Sequence, residues 1–223
     1  MVVVCSIFSV LILAVLKFSD ASDYCNIRTC IAGTHTMCLF QIPVPLCPAY
    51  GFGLTGQEKQ AILSHHNELR RRVAAGMETQ GSPGPQPPTK FMPDLAWDNE
   101  LAIIAQTLAD TCKFEHDKCR DVERFPVGQN IASIASTEPN FSPDLTRLVQ
   151  MWYDEVKLFN GQDVSEYSFN PAVGHYTQLV WAKSLYVGCG VVKYSEGGLN
   201  KVYLVCNYGP AGNVLGEEIY EVC

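Results

Sequence analysis

Residues 187–194, VGCGVVKY, and residues 201–208, KVYLVCNY, lie on either side of Gly197-Gly198. Both segments are rich in β-branched and aromatic residues, and a glycine pair between two such segments is typical of a β-hairpin turn. With the turn centred on this pair, Cys189 lies opposite Cys206. Facing Cα atoms in an antiparallel ladder are about 4.5–5.5 Å apart, a spacing that a disulfide can bridge. The pattern therefore predicts a hairpin closed by a Cys189–Cys206 bond.

Three amphipathic helices are predicted upstream of this hairpin. Thr55 begins a capping box with Glu58, and the helix that follows ends at Gly76. Asp98 caps a second helix, and Ser142, with Pro143 and Asp144 after it, opens a third whose apolar stripe continues to residue 159. The proline- and glycine-rich segment 81–88 predicts an irregular loop. Helices that precede an antiparallel hairpin favour an α+β architecture.

The chain of 223 residues begins with an apolar run without charged side chains over residues 2–16. This run is shorter than the roughly 20 residues that cross a membrane. Ser19 and Ala21 are small residues at the −3 and −1 positions of a cleavage site. We therefore predict a signal peptide over residues 1–21 and a secreted, extracellular protein; a retained membrane anchor is the alternative.

The charge balance excludes some partners. Lys and Arg total 16 against 23 Asp and Glu, which gives a formal net charge of −7. An acidic chain without a basic cluster is a poor ligand for nucleic acids or anionic membranes. No segment after residue 21 is long and apolar enough to span a bilayer. We expect no nucleic-acid partner and no stable membrane insertion.

Ten cysteines indicate an oxidising compartment. Cys5 belongs to the predicted signal peptide, so nine cysteines remain and at least one lacks an internal partner. Four of the nine fall in residues 22–54, a loop-rich arm that disulfides are expected to pin to the rest of the chain. Cys223 is the candidate for the unpaired cysteine. It either stays free, binds a small thiol or links two chains, so we expect a monomer, with a Cys223-linked dimer as the alternative.

Few residues indicate chemistry. His116 and His175 are the histidines of interest, and Glu155 lies at the border of the third helix's apolar stripe, where a solvated edge residue is the favoured interpretation. His66 falls on the apolar stripe of the first helix and is interpreted as a buried structural histidine. The sequence has no serine nucleophile elbow, P-loop, HExxH or dinucleotide fingerprint. The residues alone thus indicate a secreted, disulfide-linked α+β domain.

Four segments together resemble the CAP superfamily of cysteine-rich secretory, antigen 5 and pathogenesis-related proteins. They are HNELR (66–70), GQNI (128–131), GHYTQLVW (174–181) and YLVCNYGPAGN (203–213). The cysteine-rich arm and PGPQPP (83–88) are similar to the insect venom antigen 5 branch. The resemblance implies a CAP (SCP-like) domain over residues 55–223, folded as a three-layer α-β-α sandwich with a central antiparallel sheet. It also implies that the 66–70 motif fastens the first helix to that sheet.

The resemblance implies four disulfides. They are Cys25–Cys38, Cys30–Cys119, Cys47–Cys112 and Cys189–Cys206. The last of these agrees with the hairpin argument, and the second and third connect the arm to the end of the second helix.

The family's central cleft carries two histidines and two acids, which fall here on His116, His175, Glu155 and Gln129. The two imidazoles would hold Zn²⁺ or Cu²⁺ weakly, because catalytic zinc sites usually have three protein ligands. No cofactor is required on this interpretation. Gln129 is an amide that cannot take a proton, so Glu155 is the only candidate base.

Three functions follow as alternatives. The favoured one is a secreted, non-enzymatic effector and allergen of venom or saliva that binds a host protein or ligand. The second is an extracellular carrier of a lipid, a sterol or a small hydrophobic or amine ligand, which would need an apolar groove beside the third helix. The third is a metal-dependent hydrolase that uses the His/Glu cleft.

Overall fold

The computed structural model describes residues 24–41 and 44–223. The predicted signal peptide over residues 1–21 lies outside these residues. Within them, no helix has both the length and the apolar character needed to cross a bilayer.

Five α-helices and five strands can be assigned in the described residues. The helices are α1 (Thr36–Leu39), α2 (Gly56–Ala74), α3 (Asn99–Ala109), α4 (Thr146–Tyr153) and α5 (Gly174–Leu179). The strands are β1 (Ala49–Phe52), β2 (Ala96–Trp97), β3 (Gly128–Ser136), β4 (Tyr186–Glu196) and β5 (Leu199–Gly209). Two 3₁₀ helices, Asp154–Leu158 and Gly161–Ser165, follow α4.

The predicted hairpin is confirmed. β4 and β5 pair antiparallel around Gly197 and Gly198, which both have positive φ angles, and Cys189 faces Cys206. Each strand extends beyond the predicted bounds, because the ladder continues to the pairs next to the turn and to Gly209. Along both strands, side chains alternate between the two faces of the sheet, so each face builds a separate part of the core.

The sheet has the order β1-β4-β5-β3, and β2 adds a short parallel pairing to β4. β3 pairs with β5 over nine residues, which places Gln129 opposite Asn207. The arm is less loop-like than the sequence suggests. Its strand β1 pairs with β4, so the arm supplies an edge strand as well as cysteines.

Helix α3 covers one face of the sheet at very short range. A Cβ atom on Gly188 would lie 2.3 Å from the backbone nitrogen of Ala102, and one on Gly190 would lie 2.3 Å from backbone atoms of Gln106. Real Cβ contacts are never this close, so β4 needs glycine at both positions. α3 begins at the predicted cap, where Asp98 accepts a hydrogen bond from the Leu101 nitrogen.

Helices α2, α4 and α5 cover the other face, which confirms the three-layer α-β-α sandwich. The Thr55–Glu58 capping box begins α2, as predicted. The core on this side is the larger one and includes the following fully buried side chains: Ile62, Leu148, Tyr176, Trp181, Leu204 and Tyr208.

The predicted start of the third helix is wrong, because α4 begins at Thr146 instead of after Ser142. The Ser142 hydroxyl accepts a hydrogen bond from Lys193 and does not cap the helix. The Asp144 carboxylate accepts a hydrogen bond from the Thr146 nitrogen instead. The α-helix also ends early, at Tyr153. Glu155 therefore lies in a 3₁₀ turn, although the predicted apolar stripe is buried throughout.

Four disulfides link the cysteines in the pairs that the family resemblance implies. They are Cys25–Cys38, Cys30–Cys119, Cys47–Cys112 and Cys189–Cys206. Cys223 is exposed and forms no disulfide within the described residues.

His66 is buried and neutral, as the sequence suggests. Its Nδ1–H donates to the Ile62 carbonyl at 2.8 Å, and its Nε2 accepts from the Tyr208 hydroxyl on β5 at 2.8 Å. Burial lowers the pKa of His66 to about 4. Because the unfolded chain takes up this proton more readily, His66 reduces stability as the pH falls from about 6.5 towards 4.

Asn67 and Arg70 fasten α2 to the loop before β2, to the end of α5 and to the segment after α5 rather than to the sheet. Asn67 makes two hydrogen bonds with the backbone of Leu95. The Arg70 guanidinium is completely buried and donates to four backbone carbonyls, those of Pro93, Leu179, Trp181 and Ser184. Among these three polar residues, His66 makes the hydrogen bond to the sheet that the family resemblance implies. Arg70 connects α2 to α5 and to the segment after it.

We expect Arg70→Met to lower the free energy of unfolding by about 3 kcal/mol or more, because four buried carbonyls would lose a charged donor. Urea denaturation of the purified protein measures this. Arg71→Met is the matched control: Arg71 is exposed and pairs with Asp94 on the surface, so its loss should cost less than about 1 kcal/mol. Equal effects of the two substitutions would contradict this role of Arg70.

Candidate histidine cleft

His116 lies in the loop between α3 and β3, and the arm holds this loop in place. The Cys30–Cys119 disulfide joins the two segments. Asp117 accepts hydrogen bonds from the Thr36 hydroxyl of the arm and from Arg120 of the same loop. His116 also lines a groove of about 270 Å³ with the arm residues 33–34 and 39–40. The arm therefore forms part of the groove beside His116.

His35 strengthens the same connection. Its side chain is buried, its Nε2–H donates to the Asp121 carbonyl at 2.9 Å and its Nδ1 accepts from the Met37 nitrogen at 3.0 Å. A ring with one donor and one acceptor bond of this kind is neutral. Burial lowers the pKa of His35, in agreement with this arrangement.

A chain of directed hydrogen bonds sets the proton position on His116. It starts at the backbone carbonyl of Leu101, which can only accept, so Asn207 must turn its NH₂ group towards it at 3.3 Å. The Asn207 oxygen then accepts from Gln129 Nε2 at 2.9 Å, and the Gln129 oxygen faces His116 Nδ1 at 2.7 Å. His116 Nδ1 must therefore carry the hydrogen. Its Nε2 is left with a free lone pair.

Glu155 sets the proton position on His175 in a different way. One carboxylate oxygen accepts from His175 Nδ1 at 2.6 Å, and the other accepts from the backbone nitrogens of His175 and Tyr176 at 2.9 and 3.1 Å. These nitrogens belong to the first turn of α5, whose own N-cap residue, Val173, forms no side-chain bond. Glu155 thus caps α5 from another element and places a hydrogen on Nδ1 of His175.

Trp152 and Asn130 complete the support of His175. The indole ring of Trp152 stacks on the imidazole with 6.3 Å between ring centroids, and its Nε1 donates to the Ile131 carbonyl on β3. Asn130 donates to the backbone carbonyl of His175 at 3.0 Å. The ring is therefore fixed by β3, by α4 and by the turn that follows α4.

The two imidazoles influence each other electrostatically. Partial desolvation lowers the pKa of His116, and positive charge on Arg120 and His175 lowers it further. Protonation of His116 is therefore less favourable when His175 carries a charge.

The donor set fits a weakly bound metal ion. Imidazole nitrogens are suitable ligands for Zn²⁺ and Cu²⁺. In zinc sites a carboxylate often binds the other nitrogen of the ligating imidazole and orients the ring, as Glu155 does for His175. Within residues 24–41 and 44–223, the one cluster of three metal-binding side chains is Cys30, Cys119 and Asp121. Its two cysteines form a disulfide, so this cluster offers no thiolate. Metal binding by His116 and His175 stays a prediction.

The groove that a lipid carrier would need beside the third helix is polar. A cavity of about 500 Å³ lies between α2 and α4 and is lined mainly by polar and charged side chains. His65 on α2 bonds Gln150 on α4 at 3.0 Å, and the buried Glu78 carboxylate accepts from Arg72 and Tyr153. A long apolar chain would find little apolar surface there.

Four residues of the candidate site are predicted from the sequence, but the way they are held is not. The sequence pattern favours a solvated edge position for Glu155, whereas the side chain is only 20% exposed and has three hydrogen bonds. The pattern indicates no role for Asn207, Asn130 or Trp152 in the site. Both asparagines lie inside the motifs noted above, and a polar residue on a buried strand is a signal that could have identified Asn207.

Comparison with known proteins gives a consistent result. Residues 63–208 match the sequence profile of CAP, the cysteine-rich secretory protein family. Venom allergen 3 of Solenopsis invicta is 50% identical over 212 residues, covering 91% of this chain and 90% of that relative. Venom allergen 5 of Vespa magnifica is 51% identical over 210 residues, with 92% of each chain covered.

Solved structures agree with the sequence comparison. The crystal structure of NaASP2 with Zn²⁺ is 32% identical, covers 79% of this chain and 90% of its own, and superposes with a TM-score of 0.66. BmVAL-1 is 27% identical, covers 82% of this chain and 88% of its own, and gives a TM-score of 0.62.

Replacing Gln129 by Glu tests the hydrogen-bond chain. The new carboxylate would face His116 Nδ1 and stabilise the imidazolium ion, so the pKa of His116 should rise. An NMR titration of the histidine side chains measures this, with His65 outside the cleft as the internal reference. An unchanged His116 midpoint, or an equal shift of His65, would contradict the contact.

Proposed function

Because this chain belongs to the cysteine-rich secretory protein (CAP) family, we propose that it is a secreted protein of the venom allergen type that acts by binding a partner, without catalysis. Relatives at about half identity over nine-tenths of the chain support the venom allergen assignment. Four disulfides support an extracellular location. The partner is a host protein or a small ligand.

The hydrogen bonding of Glu155 carries the proposal of a non-enzymatic cleft. A general base must accept a proton from water, but this carboxylate already accepts three hydrogen bonds, two of them from the backbone at the start of α5. Three of its acceptor positions are therefore already occupied by the protein. Gln129, at the position of the family's other acid, cannot take a proton. The cleft therefore holds two imidazoles in place and lacks a free carboxylate base.

A metal ion would bind through Nε2 of His116 and Nε2 of His175. When bound, Zn²⁺ would act as a Lewis acid on a coordinated oxygen or nitrogen of the partner. A structure of the relative NaASP2 with Zn²⁺ supports testing this ion first. Two protein ligands favour exchangeable binding over a permanent cofactor.

We expect Zn²⁺ to bind the wild-type protein at pH 7.5 and to bind at least about tenfold more weakly at pH 5.0. Ligand imidazoles must be neutral, and the ordinary histidine pKa is about 6.5, so protons compete with the metal ion more strongly at the lower pH. Isothermal titration calorimetry with ZnCl₂ measures both affinities.

Substitutions assign the metal site in the same assay. His116→Ala and His175→Ala should each remove binding at pH 7.5, whereas His65→Ala should leave it unchanged, because His65 lies on α2 outside the cleft. Equal affinities at the two pH values, or binding that survives both cleft substitutions, would contradict the site.

The hydrolase alternative is tested separately. We expect wild-type protein with Zn²⁺ to cleave a peptide library no faster than the His116→Ala and His175→Ala variants, because the cleft offers no free carboxylate base. Mass spectrometry of the digests gives the readout. Cleavage by the wild type that disappears in both variants would contradict the non-enzymatic proposal.

A further inference from the structure

A second concave surface lies away from the histidine cleft, where the C-terminal segment meets the loop after α5. This groove has a volume of about 340 Å³. We propose that it binds a small hydrophobic cation, an aromatic ring with a primary ammonium group. The proposal does not depend on the histidines or on a metal ion.

The walls of the groove are apolar and aromatic. Phe91 is 69% exposed and Leu185 is 40% exposed, so both offer apolar surface to a ligand. Ala182 and the buried residues Ile219 and Tyr220 complete the apolar lining, and Lys183 also lines the groove. The Tyr220 hydroxyl has no hydrogen-bond partner in the described residues. An aromatic ring fits this lining, because it can pack on the exposed Phe91 ring.

The rim of the groove is acidic. Glu221 pairs with Lys90 at 2.6 Å, and Glu217, beside the groove, pairs with Lys183 at 2.8 Å. Glu218 also lines the groove and forms no salt bridge within the described residues, although its charge contributes to the raised pKa values of Lys90 and Lys183. Three carboxylates thus face two ammonium groups, and the excess negative charge favours a cationic ligand.

Size and charge together define the ligand class. Small-molecule sites usually have volumes of about 300–1,000 Å³, so this groove is at the lower end. A single aromatic ring system with a short alkylammonium arm matches its volume. The ring would pack on Phe91 and Leu185, and the ammonium group would meet Glu218. An ammonium group also gains from the nearby aromatic faces.

The groove is held open by backbone pairing rather than by loop packing alone. Lys90 and Cys223 donate backbone hydrogen bonds to Glu221 and Pro88, so residues 88–90 and 221–223 run side by side. The Ala182 nitrogen donates to the Ile219 carbonyl, and this bond joins the loop after α5 to the C-terminal segment. The binding surface therefore exists before a ligand arrives, which lowers the cost of binding.

Tryptamine is the test ligand, and indole-3-propionate is its matched control with the same ring and the opposite charge. We expect saturable binding of tryptamine in calorimetric titrations and none of indole-3-propionate at the same concentrations. Absence of tryptamine binding, or equal binding of the two compounds, would overturn the proposal.

Variants locate the site. Glu218→Gln and Phe91→Ala should each weaken tryptamine binding by about fivefold, since one removes the charge partner and the other the ring contact. Glu123→Gln and Phe169→Ala, both at exposed positions outside the groove, are the matched controls and should not change it. His116→Ala should also leave binding unchanged, which separates the groove from the cleft. Unchanged affinity in both groove variants, or equal losses in the control variants, would overturn the assignment.

Discussion

The hydrogen bond between the side chains of Gln129 and Asn207 determines the chemistry of the cleft. The two residues face each other on neighbouring strands, so the register of β3 against β5 brings their amides together. Asn207 is anchored on a backbone carbonyl of α3, which fixes the direction of every bond between it and His116. A shift of one residue in this register would move Gln129 to the other face of the sheet. The position of a single proton on His116 thus depends on the strand pairing of the whole domain.

The two halves of the cleft are fixed by different kinds of interaction. His116 is held by neutral amides and by a loop that a disulfide joins to the arm, whereas His175 is held by a carboxylate that also caps α5. Charge-assisted hydrogen bonds are roughly twice as strong as neutral ones, so Glu155 sets its ring more firmly than Gln129 does. A site built in this way fixes Nδ1 of each ring by a hydrogen bond and leaves Nε2 for other contacts. It has no carboxylate free to take a proton, which favours binding over catalysis.

Much of the fold follows from local patterns in the sequence. The glycine pair and the β-branched segments predict the hairpin and its disulfide, and the capping residues Thr55 and Asp98 predict two helix starts, because these signals depend on a few neighbouring residues. The start of α4 was not predictable: Ser142 is used by Lys193, a residue distant in sequence. The residues that orient the two histidines were not predictable for the same reason. Asn207 and Glu155 act through contacts that only the three-dimensional structure brings together, so the sequence identified the histidines but not what orients them.

The most direct test of this account is the proton position on the two cleft histidines. Long-range ¹H–¹⁵N correlation spectra of the ¹⁵N-histidine-labelled protein at pH 7.5 distinguish the two tautomers of each neutral ring and the protonated form. The account predicts that both His116 and His175 carry their hydrogen on Nδ1 and leave Nε2 unprotonated. A hydrogen on Nε2 of either ring, or a doubly protonated ring at this pH, would contradict it.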